Sequence, residues 1–292
     1  SNKIEAEKFI VNAELPVVVK SDGLAAGKGV TICNDARSAI DDVNSILSGK
    51  FKSSNKVFIE EFLEGEELSY FVLTDGENFQ PIGTAQDHKK IGEGDTGLNT
   101  GGMGAYSPSK IINEELEKKI QNKIIIPTLK GMKKLGNPYK GILYAGLIIK
   151  NNEPKLIEYN VRFGDPECQV LMLRLKSDLL DLILSTFDNR LMDKKIIWKS
   201  EPAITIVGAS KGYPNHYENN VEIENIKDLK LKENQFVFHA GTLEDKLGKI
   251  RTNGGRVLNS TVIADTLKDA RDQAINILDS LNWKNKYYRR DI

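Results

Sequence analysis

Two amphipathic segments bracket a pair of strands, and this pattern restricts the fold more than any other feature of the chain. Residues 141–150 and 155–161 are rich in apolar and β-branched side chains, and the Asn-Asn pair between them is typical of a hairpin turn. Residues 113–135 and 169–187 carry apolar side chains at helical spacing. We expect Pro127 to kink or split the first helix, because proline cannot donate a backbone hydrogen bond. These elements predict an α+β fold.

Side chains along the second hairpin strand alternate in character, and successive side chains of a strand face opposite sides. The apolar side consists of Ile157, Tyr159 and Val161. The polar side consists of Glu158, Asn160 and Arg162. Carboxylate and amide oxygens are ligands that Mg²⁺ prefers, and an arginine can hold a transferred phosphoryl group. The alternative is the solvated polar face of an edge strand. The two flanking helices favour a central strand, whose polar groups would need partners.

A glycine-rich stretch, DGLAAGKG at residues 22–29, joins the predicted strands 15–20 and 29–33. It is not a P-loop, because the glycine spacing differs and a strand rather than a helix follows. Its small residues would let backbone N–H groups approach an anion, and Lys20 could place a charge on a phosphate. The alternative is a flexible hairpin turn beside a solvated lysine.

Five glutamates occupy the eight positions 60–67, at the turn between predicted strands 57–62 and 68–74. Most carboxylates in such turns are simply exposed. An apolar strand that ends in a polar hinge could also bind a purine, with a carboxylate on the ribose hydroxyls.

Residues 83–110 are rich in Gly, Thr, Asp and Asn and show little periodicity, so we predict a long loop. Such loops are uncommon in compact domains unless they bind something. The Gly-Gly-Met-Gly sequence at 101–104 predicts a backbone cradle for a phosphate or a small polar ligand. His88 is weak support for a catalytic base, because a lone histidine near lysines is more often a surface or hydrogen-bonded residue.

The composition shifts after Trp198, where short strands and a helix over 264–281 predict a separate small α+β domain. We therefore expect two domains, residues 1–200 and 201–292, in agreement with a length of 292 residues.

The overall composition excludes several classes of protein. Forty-one basic and 41 acidic residues give a formal net charge of zero, which argues against a general nucleic-acid binder. The chain contains no apolar run of membrane-spanning length. Cys33 and Cys168 are its only cysteines, which predicts a reducing, cytoplasmic compartment.

The order of these features resembles the ATP-grasp superfamily of carboxylate–amine ligases. The segment RFGDPECQ at 162–169 is similar to a signature of one family within it, phosphoribosylamine–glycine ligase. DGLAAGKGV at 22–30, QDHK at 86–89 and NTGGMGAYSP at 99–108 are similar to further segments of that family. The resemblance continues through FHAGT at 238–242 and TNGGRV at 252–257, and so covers essentially the whole chain.

The resemblance implies an ATP-grasp fold in which a small lid, about residues 16–74, closes over ATP. It implies ligation of glycine to 5-phosphoribosylamine in purine biosynthesis. ATP would phosphorylate the glycine carboxylate, and the amine would attack the glycyl phosphate to give glycinamide ribonucleotide, ADP and phosphate. The alternatives are another ATP-grasp ligase or purine-pathway carboxylase, a nucleotide-binding regulatory module without chemistry, or a purely structural protein.

The resemblance also implies roles for individual residues. The nucleotide would contact Lys20, Gly23, Gly27, Lys28, Gly29, Glu60, Glu61, Leu63 and Glu67. Within this set, Lys20 would contact the phosphates and Glu67 the ribose. Mg²⁺ or Mn²⁺ would bind Glu158 and Asn160, and Arg162 would hold the acyl phosphate, so that Arg162 and Lys20 are the expected catalytic residues. The two small-molecule substrates would contact Asp87, Gly101, Gly102 and Asp165.

Two features depart from the superfamily pattern. Many ATP-grasp enzymes carry a further acidic metal ligand on the preceding strand, but residues 144–147 read YAGL. The resemblance also implies an N-terminal α/β domain, which we expect to be missing from this sequence. The family further implies a monomer.

Overall fold

The computed structural model describes residues 2–23, 29–51 and 56–292. The predictions for Gly27 and Lys28 therefore lie outside the described residues. The helices are α1 (Lys3–Asn12), α2 (Ala36–Leu47), α3 (Glu114–Ile120), α4 (Ile126–Lys134), α5 (Glu167–Arg174), α6 (Leu179–Phe187) and α7 (Leu267–Ser280). The strands are β1 (Val17–Ser21), β2 (Val30–Cys33), β3 (Val57–Glu61), β4 (Glu66–Asp75), β5 (Phe79–Asp87), β6 (Lys90–Gly92), β7 (Thr96–Asn99), β8 (Gly104–Ser107), β9 (Lys140–Lys150), β10 (Glu153–Asn160), β11 (Ala203–Ser210), β12 (Gln235–His239), β13 (Thr242–Glu244), β14 (Ile250–Thr252), β15 (Arg256–Ile263) and β16 (Lys286–Tyr287).

The chain divides into two compact units, Ser1–Glu64 and Gly65–Ile292. In the first unit, an antiparallel sheet in the order β2-β1-β3 packs with α1 and α2. The carboxylate of Asp35 caps α2 by accepting the backbone N–H of Ser38 at 2.8 Å. The predicted strand pair around the glycine-rich stretch is confirmed, since β1 and β2 are antiparallel neighbours.

The second unit is built on a nine-stranded sheet in the order β10-β9-β4-β5-β8-β11-β15-β12, with β16 added beside β11. Its paired strands are antiparallel, and two small hairpins, β6–β7 and β13–β14, lie outside this sheet. The α+β prediction is confirmed. Among the residues described, no helix has both the length and the apolar character needed to span a bilayer.

The hairpin and the split helix predicted from the sequence are both confirmed. Strands β9 and β10 pair around Asn151 and Asn152, which have φ angles of 53° and 60°. Helices α3 and α4 are separated by one π-helical turn, Gln121–Ile125, and Pro127 lies in the first turn of α4. Their apolar face covers β4 and β9.

The structure corrects three predictions about elements. Residues 83–110 are not one long loop, because they contain the end of β5 and strands β6, β7 and β8, whose backbone pairing needs no side-chain periodicity. Residues 169–187 form two helices rather than one, since Asp178 caps α6 and Ser177 accepts the backbone N–H of Ile197. Strand β10 is not central, because it pairs only with β9 among the described strands.

The polar–apolar alternation on β10 also ends sooner than predicted. The pairing of β10 with β9 shifts register between Leu156 and Glu158, and Val161 lies beyond the strand with 69% of its surface exposed. Tyr159 does pack against the core, as predicted.

The predicted domain boundary near residue 200 stays a prediction, as do the predicted limits of the lid. Strand β4 belongs to the large sheet, and β8 pairs with β5 on one side and β11 on the other. The sheet is therefore continuous across residue 200.

Candidate active site

In the first unit, the predicted phosphate-binding lysine, Lys20, contacts Glu60, another residue predicted to bind the nucleotide. Lys20 pairs with Phe58 and Val18 pairs with Glu60, so Lys20 and Glu60 lie on the same face of the β1–β3 pair. The Nζ atom of Lys20 lies 2.6 Å from Oε2 of Glu60. Glu61, the last residue of β3, is exposed, and Leu63 is half-buried in the segment that follows the strand.

The two described glycines of the glycine-rich stretch differ in environment. Gly23 has a φ angle of 150°, a conformation that L residues rarely adopt, and it is exposed. Gly29 is buried, and its carbonyl accepts the backbone N–H of Ser21 at 2.8 Å.

In the second unit, an ion pair joins β4 to the short segment between β5 and β6. Nζ of Lys89 lies 2.8 Å from Oε2 of Glu67, the predicted ribose ligand. Burial disfavours the ammonium, but Glu67 and then Asp87 and Glu158 favour it more, so the pKa of Lys89 is raised. Lys89 therefore interacts electrostatically with three acidic side chains of the candidate site, those of Glu67, Asp87 and Glu158.

Asp87, a predicted substrate residue, is half-buried at the end of β5. Its Oδ1 atom is buried and has no hydrogen-bond partner among the described residues. Burial and then the charge of Glu167 raise its pKa well above the usual range, although Lys89 and Arg256 oppose this. A carboxyl group whose pKa is raised in this way lies beside Gly102, another predicted substrate residue.

Gly102 fits against Asp87 because it has no side chain. A Cβ atom at residue 102 would lie 2.7 Å from Oδ1 of Asp87 and 2.5 Å from Cδ of Pro166. Its φ angle of 110° also favours glycine. Three distant segments therefore meet at this position.

Glu167 is a second buried acid, only 2% exposed. Its Oε1 atom accepts hydrogen bonds from the hydroxyl of Tyr144 at 2.9 Å and from the hydroxyl of Ser69 at 3.1 Å. Burial, followed by the charge of Glu167, raises the pKa of Tyr144. The phenol therefore stays protonated and remains a donor to the carboxylate.

Arg256, from β15, joins two of the predicted substrate segments. Its Nη1 atom donates to the carbonyls of Gly101 at 2.7 Å and Asp165 at 2.8 Å. Its Nη2 atom lies 3.0 Å from Oδ2 of Asp165. A Cβ atom at residue 101 would lie 2.9 Å from the guanidinium, so the glycine allows the close approach.

The predicted metal ligands lie together on edge strand β10. Nδ2 of Asn160 donates to Oε1 of Glu158 at 3.3 Å, and Glu158 faces Gly146 across the β9–β10 pair. The described residues contain no cluster of three or more His, Cys, Asp or Glu side chains suited to a metal ion. One carboxylate and one amide carbonyl are hard oxygen donors that fit Mg²⁺, which commonly keeps waters and shares phosphate oxygens. Arg162 is exposed, and it donates to the carbonyl of Phe163 at 2.8 Å.

The structure thus brings together the four predicted substrate residues, through Gly102 on Asp87 and through Arg256 on Gly101 and Asp165. The Nδ1 atom of His88 is buried and has no hydrogen-bond partner among the described residues, and burial lowers the pKa of this imidazole, so a catalytic role for His88 stays a prediction. Sequence reasoning gave no role to Lys89, Arg256, Tyr144, Ser69 or Glu167. Lys89, Arg256 and Glu167 lie within the family-like segments, which was the available signal.

Comparison with known proteins extends over most of the chain. Residues 1–168 match the ATP-grasp (A) domain of phosphoribosylglycinamide synthetase, and residues 203–292 match the C domain of phosphoribosylglycinamide synthetase. The chain belongs to the phosphoribosylglycinamide synthetase family. The family and the ATP-grasp fold predicted from the sequence are therefore confirmed.

Individual members of the phosphoribosylglycinamide synthetase family are similar over the full chain. The phosphoribosylamine–glycine ligase of Brucella melitensis is 47% identical over 294 residues, which cover 100% of this chain and 68% of that protein. The chloroplastic phosphoribosylamine–glycine ligase of Arabidopsis thaliana is 46% identical over 297 residues, which cover 100% of this chain and 56% of that protein. The chain thus spans 56–68% of the length of these two relatives.

The fold agrees with a solved member of the same family. The crystal structure of the Thermotoga maritima phosphoribosylamine–glycine ligase superposes with a TM-score of 0.90 at 35% sequence identity. That match covers 100% of this chain and 72% of the other.

Proposed function

We propose that this chain ligates glycine to 5-phosphoribosylamine at the expense of ATP, giving glycinamide ribonucleotide, ADP and phosphate in purine biosynthesis. The proposal depends on one observation, made in a chain of this family. Gly102 lies against Asp87, and Arg256 binds both Gly101 and Asp165, so the four predicted substrate residues lie close together. These residues come from three separate segments, yet they converge on one small region.

We propose that residues of both units bind the nucleotide. Lys20 contacts the nucleotide phosphates, with Glu60, Glu61 and Leu63 near the adenine. Glu67 binds the ribose hydroxyls. The predictions for Gly23 and Gly29 remain part of this proposal, and so do those for the undescribed Gly27 and Lys28.

The chemistry requires activation of a poor electrophile. The γ-phosphoryl group of ATP moves to a carboxylate oxygen of glycine, and the amine nitrogen of phosphoribosylamine then attacks the carbonyl carbon as phosphate leaves. Arg162 holds the negatively charged acyl phosphate, and Lys20 neutralises the nucleotide phosphates. Glu158 and Asn160 would hold Mg²⁺ or Mn²⁺, which would supply further neutralisation of phosphate charge. Gly101, Gly102, Asp87 and Asp165 position the two acceptors.

Measurement of ADP release, with glycine and freshly made phosphoribosylamine omitted in turn, tests the proposal. We expect release to require both compounds and mass spectrometry to detect glycinamide ribonucleotide. ADP release with another carboxylate or amine in their place would favour a different ATP-grasp ligase or a carboxylase. Nucleotide binding without ADP release in any mixture would contradict the proposed enzyme.

The remaining proposals concern the setting of the reaction. We infer a monomer that acts on small molecules in the cytoplasm, where its two free cysteines stay reduced. Gel filtration with light scattering and localisation of a tagged copy would test these two points.

A further inference from the structure

The C-terminal segment, residues 286–292, binds the β6–β7 hairpin through the side chain of a buried arginine. Arg289 has a side chain that is only 1% exposed. Its Nη1 atom lies 2.8 Å from Oδ1 of Asp95, near the tip of the hairpin, and donates to the carbonyl of Lys90, at its base, at 3.0 Å. Its Nη2 atom lies 2.6 Å from Oδ2 of Asp291. One guanidinium therefore contacts both the base and the tip of the hairpin.

Three further hydrogen bonds join the same two segments. Oδ2 of Asp291 accepts the backbone N–H of Gly94 at 2.8 Å. The backbone N–H of Arg290 donates to Oε1 of Glu93 at 3.0 Å. The hydroxyl of Tyr287 donates to the carbonyl of Ile91 at 2.8 Å. The hairpin residues held by the C-terminal segment are Lys90, Ile91, Glu93, Gly94 and Asp95.

The two ends of this hairpin carry residues of the candidate site. The carbonyl of Lys89 accepts the backbone N–H of Thr100 at 2.7 Å and its hydroxyl at 2.8 Å, which closes the base of the hairpin. Lys89 itself pairs with Glu67, and the carbonyl of Gly101, next after Thr100, binds Arg256. The orientation of the hairpin therefore sets the positions of Lys89 and Gly101.

Such a two-stranded hairpin is at best marginally stable alone, and burying an arginine is costly unless its charge and N–H groups are satisfied. Here the planar guanidinium satisfies that condition by binding two carboxylates and a carbonyl. We propose that Arg289 is a positioning residue, which holds the β6–β7 hairpin so that Lys89 and Gly101 are placed for substrate binding. The expected kinetic effect rests on the proposed function, whereas the contacts of Arg289 with the hairpin are independent of it.

The test compares Arg289→Met, Arg289→Lys and Asp95→Asn with Arg290→Met as the matched control. The guanidinium of Arg290 binds Asp279 and Tyr288 rather than the hairpin, and its backbone N–H is kept in the variant. Asp95 is 62% exposed, so its replacement tests the contact with little risk to folding. Hydrogen exchange of residues 90–102 and steady-state kinetics are both measured.

We expect Arg289→Met to speed exchange of residues 90–102 while β9 stays protected, and to raise the KM for glycine or for 5-phosphoribosylamine about tenfold with a much smaller change in kcat. Arg289→Lys and Asp95→Asn should lie between wild type and Arg289→Met, and Arg290→Met should match wild type. Unchanged exchange in Arg289→Met and Asp95→Asn would overturn the proposal. So would a uniform loss of activity that only follows a lower melting temperature. If wild type ligates nothing, the proposed function fails, and the exchange data alone decide whether Arg289 holds the hairpin.

Discussion

Lys89 and Glu67 form an ion pair between two separate sequence motifs of the candidate site, with Nζ and Oε2 separated by 2.8 Å. The charges of Asp87 and Glu158 also act on this lysine. Lys89 therefore interacts with a predicted ribose ligand, a predicted substrate residue and a predicted metal ligand, all in the second unit. Removal of this single positive charge would leave Glu67 and Glu158 without a counter-charge that acts on both of them.

Replacing Lys89 with methionine should therefore lower kcat/KM by about 100-fold, because it removes a preorganised positive charge from the site. The melting temperature should change little, since the pair is partly solvated. Lys90→Met is the matched control, because only the backbone carbonyl of Lys90 binds Arg289. Equal kinetics in the two variants would show that the ion pair has no part in the reaction.

Gly102→Ala should destabilise the fold by about 2–4 kcal/mol, which combines strain at a positive φ angle with the collisions against Asp87 and Pro166. Gly136→Ala provides the control, because Gly136 has a φ angle of 77° and a Cβ atom added there would meet no described atom within 4 Å. Urea unfolding of both variants separates the two effects. A loss at residue 102 no larger than that at residue 136 would mean that the local backbone relaxes away from the collision.

Asp87→Asn should stabilise the protein near neutral pH although it impairs ligation. The pKa of Asp87 is raised in the folded state, so the folded protein keeps a proton that the unfolded chain releases. Stability from this group is therefore present at low pH and is lost as pH rises from the ordinary aspartate pKa, about 4, through the raised value.

Melting temperatures of wild type and Asp87→Asn, measured between pH 4 and pH 8, test this sign. The asparagine variant should gain on wild type as pH rises, by at least about 2 °C at the upper end. The neighbouring charges on Glu167, Glu67, Lys89 and Arg256 are retained in the variant, so they serve as a constant background. A difference that shrinks with rising pH would contradict the raised pKa.

Glu158→Gln should greatly reduce turnover and leave the fold intact, because it removes a proposed metal ligand and no core volume. Its activity should recover partly at high Mg²⁺ or Mn²⁺ concentration. Glu153→Gln, at the start of the same strand, is the control, since Glu153 pairs with Lys119 and Lys123. Equal turnover and equal metal dependence in wild type and Glu158→Gln would exclude the assignment.

The sequence was informative where local chemistry decides the structure. The Asn151-Asn152 turn, the interruption of the helix just before Pro127 and the β1–β2 strand pair all depend on residues close in the chain, and all were predicted. Long-range pairing was not accessible in this way. The flanking helices favoured a central β10, yet its backbone pairs only with β9 among the described strands.

The same limit applies to the candidate site. Asp87, Gly101, Gly102 and Asp165 were found through family-like segments, but the residue that joins two of them was not. Arg256 lies 155 residues from Gly101 and 91 from Asp165. The hydrogen-bond partners of the buried Glu167, Ser69 and Tyr144, are likewise 98 and 23 residues away. No local pattern reveals such partners, because their proximity is a product of the completed sheet.

Strand β8 connects the part of the chain that matches the A domain with the part that matches the C domain, so it matters for any attempt to produce the two parts separately. It contains only four residues, yet its backbone joins β5 from the A-domain part to β11 from the C-domain part. A fragment beginning near residue 201 would leave residues 203–206 of β11 without the strand that pairs with them on that edge, and an exposed strand edge favours self-association. The C-domain part therefore matches a family model of its own, yet residues 203–206 of its strand β11 pair with a strand that comes from the A-domain part.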